Sequence, residues 1–191
     1  MLRMTCFVLF PLMMGLAALA EPVVRLLLTD KWIETVPLIR ILCFAWIWWP
    51  ASNMSWQLLN AKHRSDYCLK AEIIKKVIAI SILVFSLFWG IKVVCIGMLL
   101  YYVADVYVIT VFSARVLPGV TFASEMKSML PILAYAAVMG TGVYLLDHMI
   151  SSDAVSLAAG TAAGIVLYMA VTLLTGSREA WYLLEMIKKR R

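Results

Sequence analysis

Along this sequence apolar residues come in long continuous runs, separated by short stretches that hold most of the charge. Six runs can be delimited, at about residues 4–28, 36–61, 73–90, 93–114, 129–146 and 154–175. The runs are continuous rather than alternating, so they predict helices and not the strands of a membrane barrel. A helix needs about 20 apolar residues to cross a hydrocarbon core of about 30 Å. The first, second and fourth runs are ample for that, whereas the third and fifth are short and draw on flanking residues at the interfaces. The pattern therefore predicts an all-α integral membrane protein: a six-helix transmembrane region over 1–176, then a basic amphipathic tail over 177–191.

Composition strengthens this picture. Hydrophobic residues make up 64% of the 191, charged residues 15%, and the mean hydropathy is +0.92. A soluble domain carries about 45–50% apolar and about 25% charged residues, so this chain lacks the polar surface that water would demand. The net charge of +6 follows the spans. With six crossings, one side of the membrane holds both ends and the loops after the second and fourth spans. That side collects 13 of the 17 basic residues: Arg3, Lys62, Arg64, Lys70, Lys75, Lys76, Arg115, Lys127, Arg178, Lys188, Lys189, Arg190 and Arg191. The other side holds Arg25, Lys31, Arg40 and Lys92, beside Asp30, Glu34, Asp147 and Asp153. The positive-inside rule places both termini in the cytoplasm. It also argues against a nucleic-acid partner, because the basic residues sit beside membrane spans. A secretory signal ending at Ala18-Leu19-Ala20 is the competing reading of the first run, which is long for that purpose and contains Pro11.

Several local features shape the bundle. Pro37, after Thr35 as a cap, starts the second span, whereas Pro11 and Pro50 fall inside spans and should kink them. Gly160 and Gly164 form a small-residue face that lets helices approach closely. Cys6, Cys43, Cys68 and Cys95 show no paired spacing and read as buried thiols. Ser177 could cap an interfacial helix over 178–191, with Ala180, Trp181, Leu184 and Ile187 on one face and basic residues at its end.

Candidate chemistry is confined to a few polar groups in the spans. Asn53, Gln57 and Asn60 share one helical face, which must meet protein or water. It either lines a cavity that hydrogen-bonds sugar hydroxyls or joins helices together. Asp105 lies mid-span and is either a proton or cation site or a structural acid. Arg40 can line a cavity or snorkel to the interface. Lys70, Glu72, Lys75 and Lys76 open the third span; Glu72 can pair with Lys75 or Lys76, and the remaining positive charge either attracts a phosphate or anchors the cytoplasmic face. Signals of an enzyme are thin. The spacing from His148 to Asp153 matches that of some acyltransferases, but it sits in a short outer loop without a supporting motif. No phosphate-binding loop occurs, and no cofactor or metal is expected.

The order of residues adds a resemblance. Phe10-Pro11, Gly15-Leu16-Ala17, Ala20-Glu21-Pro22, Leu26-Leu27-Leu28-Thr29-Asp30-Lys31-Trp32, Val36-Pro37, Ile41-Leu42-Cys43 and Pro50 resemble the polysaccharide flippases. So do Asn60-Ala61-Lys62, Arg64-Ser65-Asp66 and Leu69-Lys70-Ala71-Glu72-Ile73-Ile74-Lys75-Lys76. These flippases are the O-antigen and capsule exporters of the multidrug/oligosaccharidyl-lipid/polysaccharide exporter superfamily. The likeness is dense from about residue 3 to 105 and only hydropathic afterwards; it departs at His63, where relatives often carry Gly before Arg-Ser-Asp. It implies a two-lobed transporter of the bacterial inner membrane that flips undecaprenyl-diphosphate-linked oligosaccharide for polysaccharide or lipopolysaccharide biosynthesis. This chain would supply the C-terminal lobe and the trailing helix pair, with an N-terminal lobe as partner and membrane lipids around it. Asn53, Gln57, Asn60, Lys70, Lys75 and Arg40 would then line the cavity, and Asp105 would couple an ion. A multidrug or cation antiporter lobe of the same superfamily is the alternative, and a stand-alone scaffold or truncated remnant is a third.

Overall fold

The computed structural model describes residues 2–117, 119, 121–150 and 152–175. Every regular element among them is helical. In chain order these are α1 (Leu2–Ala18), α2 (Ala20–Leu28), a 3₁₀ segment (Asp30–Thr35), α3 (Val36–Trp46), α4 (Trp49–Ala61), α5 (Ser65–Leu87), α6 (Ile91–Val116), α7 (Phe122–Met149) and α8 (Asp153–Leu174). Four stretches are long and apolar enough to cross a membrane: Asp30–Ala61, α6, α7 and α8. The pair α1 and α2, bent by 69°, makes a fifth when taken as one span. The third predicted span, 73–90, falls in α5 and the turn after it; the helix starts earlier than expected, and its first half carries Lys70, Glu72, Lys75 and Lys76. The predicted tail over 177–191, including Ser177 and its apolar face, lies outside the described residues.

Two prolines explain where the long runs break. Pro22 has no amide hydrogen to give to the carbonyl four residues back, Ala18, and its ring crowds that carbonyl. The break between α1 and α2 falls there, at Leu19. In the same way Pro50 interrupts the helix four residues earlier, where α3 ends at Trp46. Pro11 and Pro131, by contrast, lie within continuous helices, and the break in the first run sits at Leu19. Thr35 does not cap α3: its hydroxyl donates to the carbonyl of Trp32 at 2.6 Å, inside the 3₁₀ segment that runs straight into the helix.

The chain divides into two compact units. One comprises Arg3–Arg40 and Leu130–Arg191. In it α2 packs on α8, and Ala20, Val24 and Val36 form a small core with Ile33 and Ile39 around it. The Tyr168 hydroxyl donates to the carbonyl of Phe7 at 2.8 Å, with the two rings 5.1 Å apart. Gly160 and Gly164 do form a close-contact face. A Cβ built on Gly160 would come within 2.7 Å of Leu19, and one on Gly164 within 3.2 Å of Val143.

The other unit comprises Met1–Leu2 and Ile41–Met129. Here α6 packs on both α4 and α5, and Leu59, Cys68, Ala71, Ile109 and Phe112 form its core. The turn from α4 to α5 is tight. Arg64 N–H donates to the Leu59 carbonyl at 3.1 Å and His63 N–H to that of Asn60 at 3.0 Å. These two bonds make a Schellman cap, whose reversing residue normally has positive φ and is normally Gly. His63 fills that position at φ 54°. All four cysteines are buried.

Candidate polar site in the helical unit

The polar groups of the second unit gather on the buried side of α4. Ser52 and Ser55 lie three residues apart there, one turn from each other along the helix. Both are buried, and each meets a carboxylate from another helix. The Ser52 hydroxyl donates to Asp105 Oδ2, from the middle of α6. The other oxygen of Asp105 lies 2.7 Å from Lys75 Nζ on α5. Lys75 also pairs with Glu72 at 2.7 Å, three residues back on its own helix, and lies over the Trp56 ring at 5.4 Å. Lys75 is 7% exposed and Asp105 6% exposed, so this ion pair is inside the protein. One turn along α4, Ser55 donates to Glu125 Oε1 at 2.8 Å, while Thr110 of α6 donates to Oε2 at 3.0 Å. The Ser113 hydroxyl donates to the Ser55 carbonyl at 3.2 Å, fastening α6 to α4.

The predicted site residues separate into three groups. Lys75 and Asp105, assigned different roles from sequence, are brought together. The charge on each is met by the other. Asn53, Gln57 and Asn60 lie off the buried face: Gln57 donates to Asn53 at 3.3 Å, and the Asn60 side-chain oxygen is 3.5 Å from the Cys68 thiol. Lys70 is exposed, with its ammonium 5.9 Å from the Tyr67 ring centre. Arg40 belongs to the first unit, where its Nε donates to the Ala17 carbonyl at 3.2 Å and its guanidinium lies over Tyr144. There it closes the C-terminal end of α1, where carbonyls lack intrahelical donors and the dipole favours a cation.

Sequence reasoning missed Ser52, Ser55, Thr110 and Glu125. Glu125 escaped because the fifth span was started at Met129, whereas α7 begins at Phe122 and carries the acid in its first turn. A signal for the serines existed: spaced three apart, they flank the Asn53 face within an otherwise apolar run. Outside the spans, Arg64 and Asp66 pair at 3.2 Å in the α4–α5 turn. The hydrogen bond from Arg64 holds the Asp66 carboxyl below the usual carboxylate range. His148 lies against Tyr144, and Asp153 opens α8; the Ser156 hydroxyl donates to Asp147 across that loop.

A helical chain with several apolar spans and an ion pair buried among them is a multi-pass membrane protein. Comparison with known proteins adds a biosynthetic context. Residues 1–37 match the family model described as "Polysaccharide biosynthesis protein". They cover α1, α2, the 3₁₀ segment and the start of α3. The chain is also 31% identical over 90 residues to an "Uncharacterized membrane protein in cps region" of Klebsiella pneumoniae. That alignment takes in 47% of this chain and 19% of the relative, so the chain spans less than a fifth of that protein's length. No solved structure matches.

Proposed function

We propose that this chain is part of a transporter that flips undecaprenyl-diphosphate-linked oligosaccharide across the bacterial cytoplasmic membrane for polysaccharide or lipopolysaccharide assembly. The observation that carries the reading is the polysaccharide biosynthesis match over residues 1–37 on a chain built of membrane helices. Synthesis on a lipid carrier at one face of a membrane and use at the other requires a protein that moves the glycan across. Polar and charged groups inside the helices support transport, since apolar packing alone would be cheaper than a buried ion pair.

In this reading an N-terminal lobe completes the cavity. Lys70 and Lys76, both exposed, meet the diphosphate, and the Asn53, Gln57 and Asn60 face hydrogen-bonds sugar hydroxyls. Lys75 and Asp105 hold α5 on α6 while the lobes rock against each other to alternate access. Both termini lie in the cytoplasm. The test is reconstitution of the native full-length protein in liposomes with a fluorescent lipid-linked oligosaccharide. Transfer faster than in empty liposomes is expected, and a Lys70→Ala/Gln57→Ala variant should slow it. Transfer no faster than in empty liposomes would remove this function.

A cation or drug antiporter lobe is the second reading, favoured by two carboxylates buried in the unit, Asp105 and Glu125. Ion-driven efflux of small cationic compounds, indifferent to glycan supply, would select it.

A further inference from the structure

Glu125 differs from every other acid in the unit. It is 7% exposed, and both carboxylate oxygens accept a hydroxyl hydrogen, from Ser55 and from Thr110. Among the described residues it forms no ion pair. Asp105, buried to the same degree, has Lys75. Each carboxylate oxygen lies within hydrogen-bond distance of one hydroxyl, so the ionised form can accept from both. The first turn of α7 offsets part of the charge, because its amides form the positive end of the helix dipole. An uncompensated buried carboxylate still carries a large desolvation cost.

Space exists beside it. A cavity of about 430 Å³ is walled by Glu125, Ser55, Ser124 and Ser128, with Leu2, Met54 and Leu58 on its apolar side. Hydroxyls that donate to the carboxylate keep lone pairs free to face a cation. The donors are hard oxygens carrying a single negative charge. That set suits a small monovalent cation; a divalent ion usually draws more carboxylates, and zinc or copper draws nitrogen or sulfur.

We propose that Glu125, Ser55 and Thr110 form a binding site for a sodium-sized monovalent cation, reached from this cavity through Glu125 and Ser55. The site stands on its own geometry and does not rest on the flippase reading. Bound ion would draw α4, α6 and α7 together, since each supplies one ligand.

The test is thermal unfolding of the detergent-purified full-length protein at constant ionic strength, exchanging choline chloride for sodium chloride. A site specific to the folded state raises the midpoint with the logarithm of sodium, by about 3–5 °C per tenfold increase above the dissociation constant. Glu125→Gln should lose that response. Should Glu125→Gln fail to fold, Ser55→Ala and Thr110→Val keep the acid but remove a ligand, and each should move the response to at least tenfold higher sodium. A wild-type midpoint identical in sodium and choline would overturn the site, as would unaltered sodium dependence in both hydroxyl variants. Stabilisation by acid alone, without a sodium response, would also overturn it, in favour of a bound proton. Because the readout is binding, failure of the flipping assay leaves this result standing, and the reverse holds.

Discussion

At the scale of single residues, the buried pair Lys75–Asp105 sets the strongest expectation. Burying an ion pair is close to neutral against a well-packed apolar pair, whereas removing one partner strands the other and costs about 3–5 kcal/mol. Lys75→Met alone should therefore destabilise the protein by roughly that amount, since Asp105 would keep only Ser52. Adding Asp105→Leu should recover most of the loss. Denaturant unfolding in detergent on the two singles and the double measures the coupling, and simple additivity would show that the charges do not depend on each other. His63 provides a change of opposite sign. A non-glycine residue in the left-handed region costs about 1–2 kcal/mol, and glycine returns part of that through its greater freedom when unfolded. His63→Gly should raise stability by roughly 0.5–1 kcal/mol, read from the same unfolding curves. An unchanged or lowered midpoint would mean that the imidazole makes a favourable contact that outweighs the strain.

At the scale of elements, the contact face of α8 is the sharpest case. Gly160 faces Leu19 on one side and Val143 on the other, so a branched side chain has no room. Gly160→Val should cost about 1–3 kcal/mol, the usual penalty for overpacking, whereas the same change at Gly90, which has open space around it, acts only through its φ of 92°. Comparing the two by thermal unfolding separates crowding from backbone strain. Equal midpoints for Gly160→Val and wild type would show that α8 does not pack through this face. Such elements were largely legible in the sequence, because continuous apolar runs report helices and small residues report close approach. The breaks were less so: a proline acts on the carbonyl four residues earlier, so Pro22 marks Leu19 and not itself. The polar site was legible only in its charged members. Asp105 and Lys75 stand out against apolar neighbours, but nothing in one sequence says that α5 and α6 put them 2.7 Å apart. The serines of α4 left only their spacing of three beside the Asn53 face, a weak signal, since a helix of lipid-facing residues tolerates hydroxyls as well as a buried site does.

At the scale of the whole molecule, the topology turns on α5. Its charges keep it out of the set of simply apolar helices, and without it the chain would cross the membrane five times, with its ends on opposite sides. The structure gives a reason to count it. Lys75 turns inward to Asp105 and also pairs with the half-exposed Glu72, so its charge is met by protein rather than lipid. On the outward face Leu69, Ile73, Val77, Ile80, Val84 and Leu87 are all exposed, an apolar stripe of about 27 Å at the rise of a helix. That nearly matches the thickness of a hydrocarbon core, about 30 Å. Lys70 lies exposed near its N-terminal end, while Lys76, at the midpoint of α5, sits about 10 Å along the stripe between Ile73 and Ile80. A hydropathy count treats every charge as facing lipid, and this helix shows why that fails where an ion pair forms between helices. If α5 spans, Lys62 before it and Lys92 after it lie on opposite faces. Single cysteines replacing each, in a background with the four buried native thiols removed, should label differently with a membrane-impermeant maleimide on intact cells. Lys92→Cys should react at once and Lys62→Cys only after the membrane is opened. Equal protection or equal reaction of the two would place both ends of α5 on one side and reduce the six-span reading to five. The cytoplasmic placement of both termini, and with it the even-numbered lobe proposed for the transporter, would then fall together.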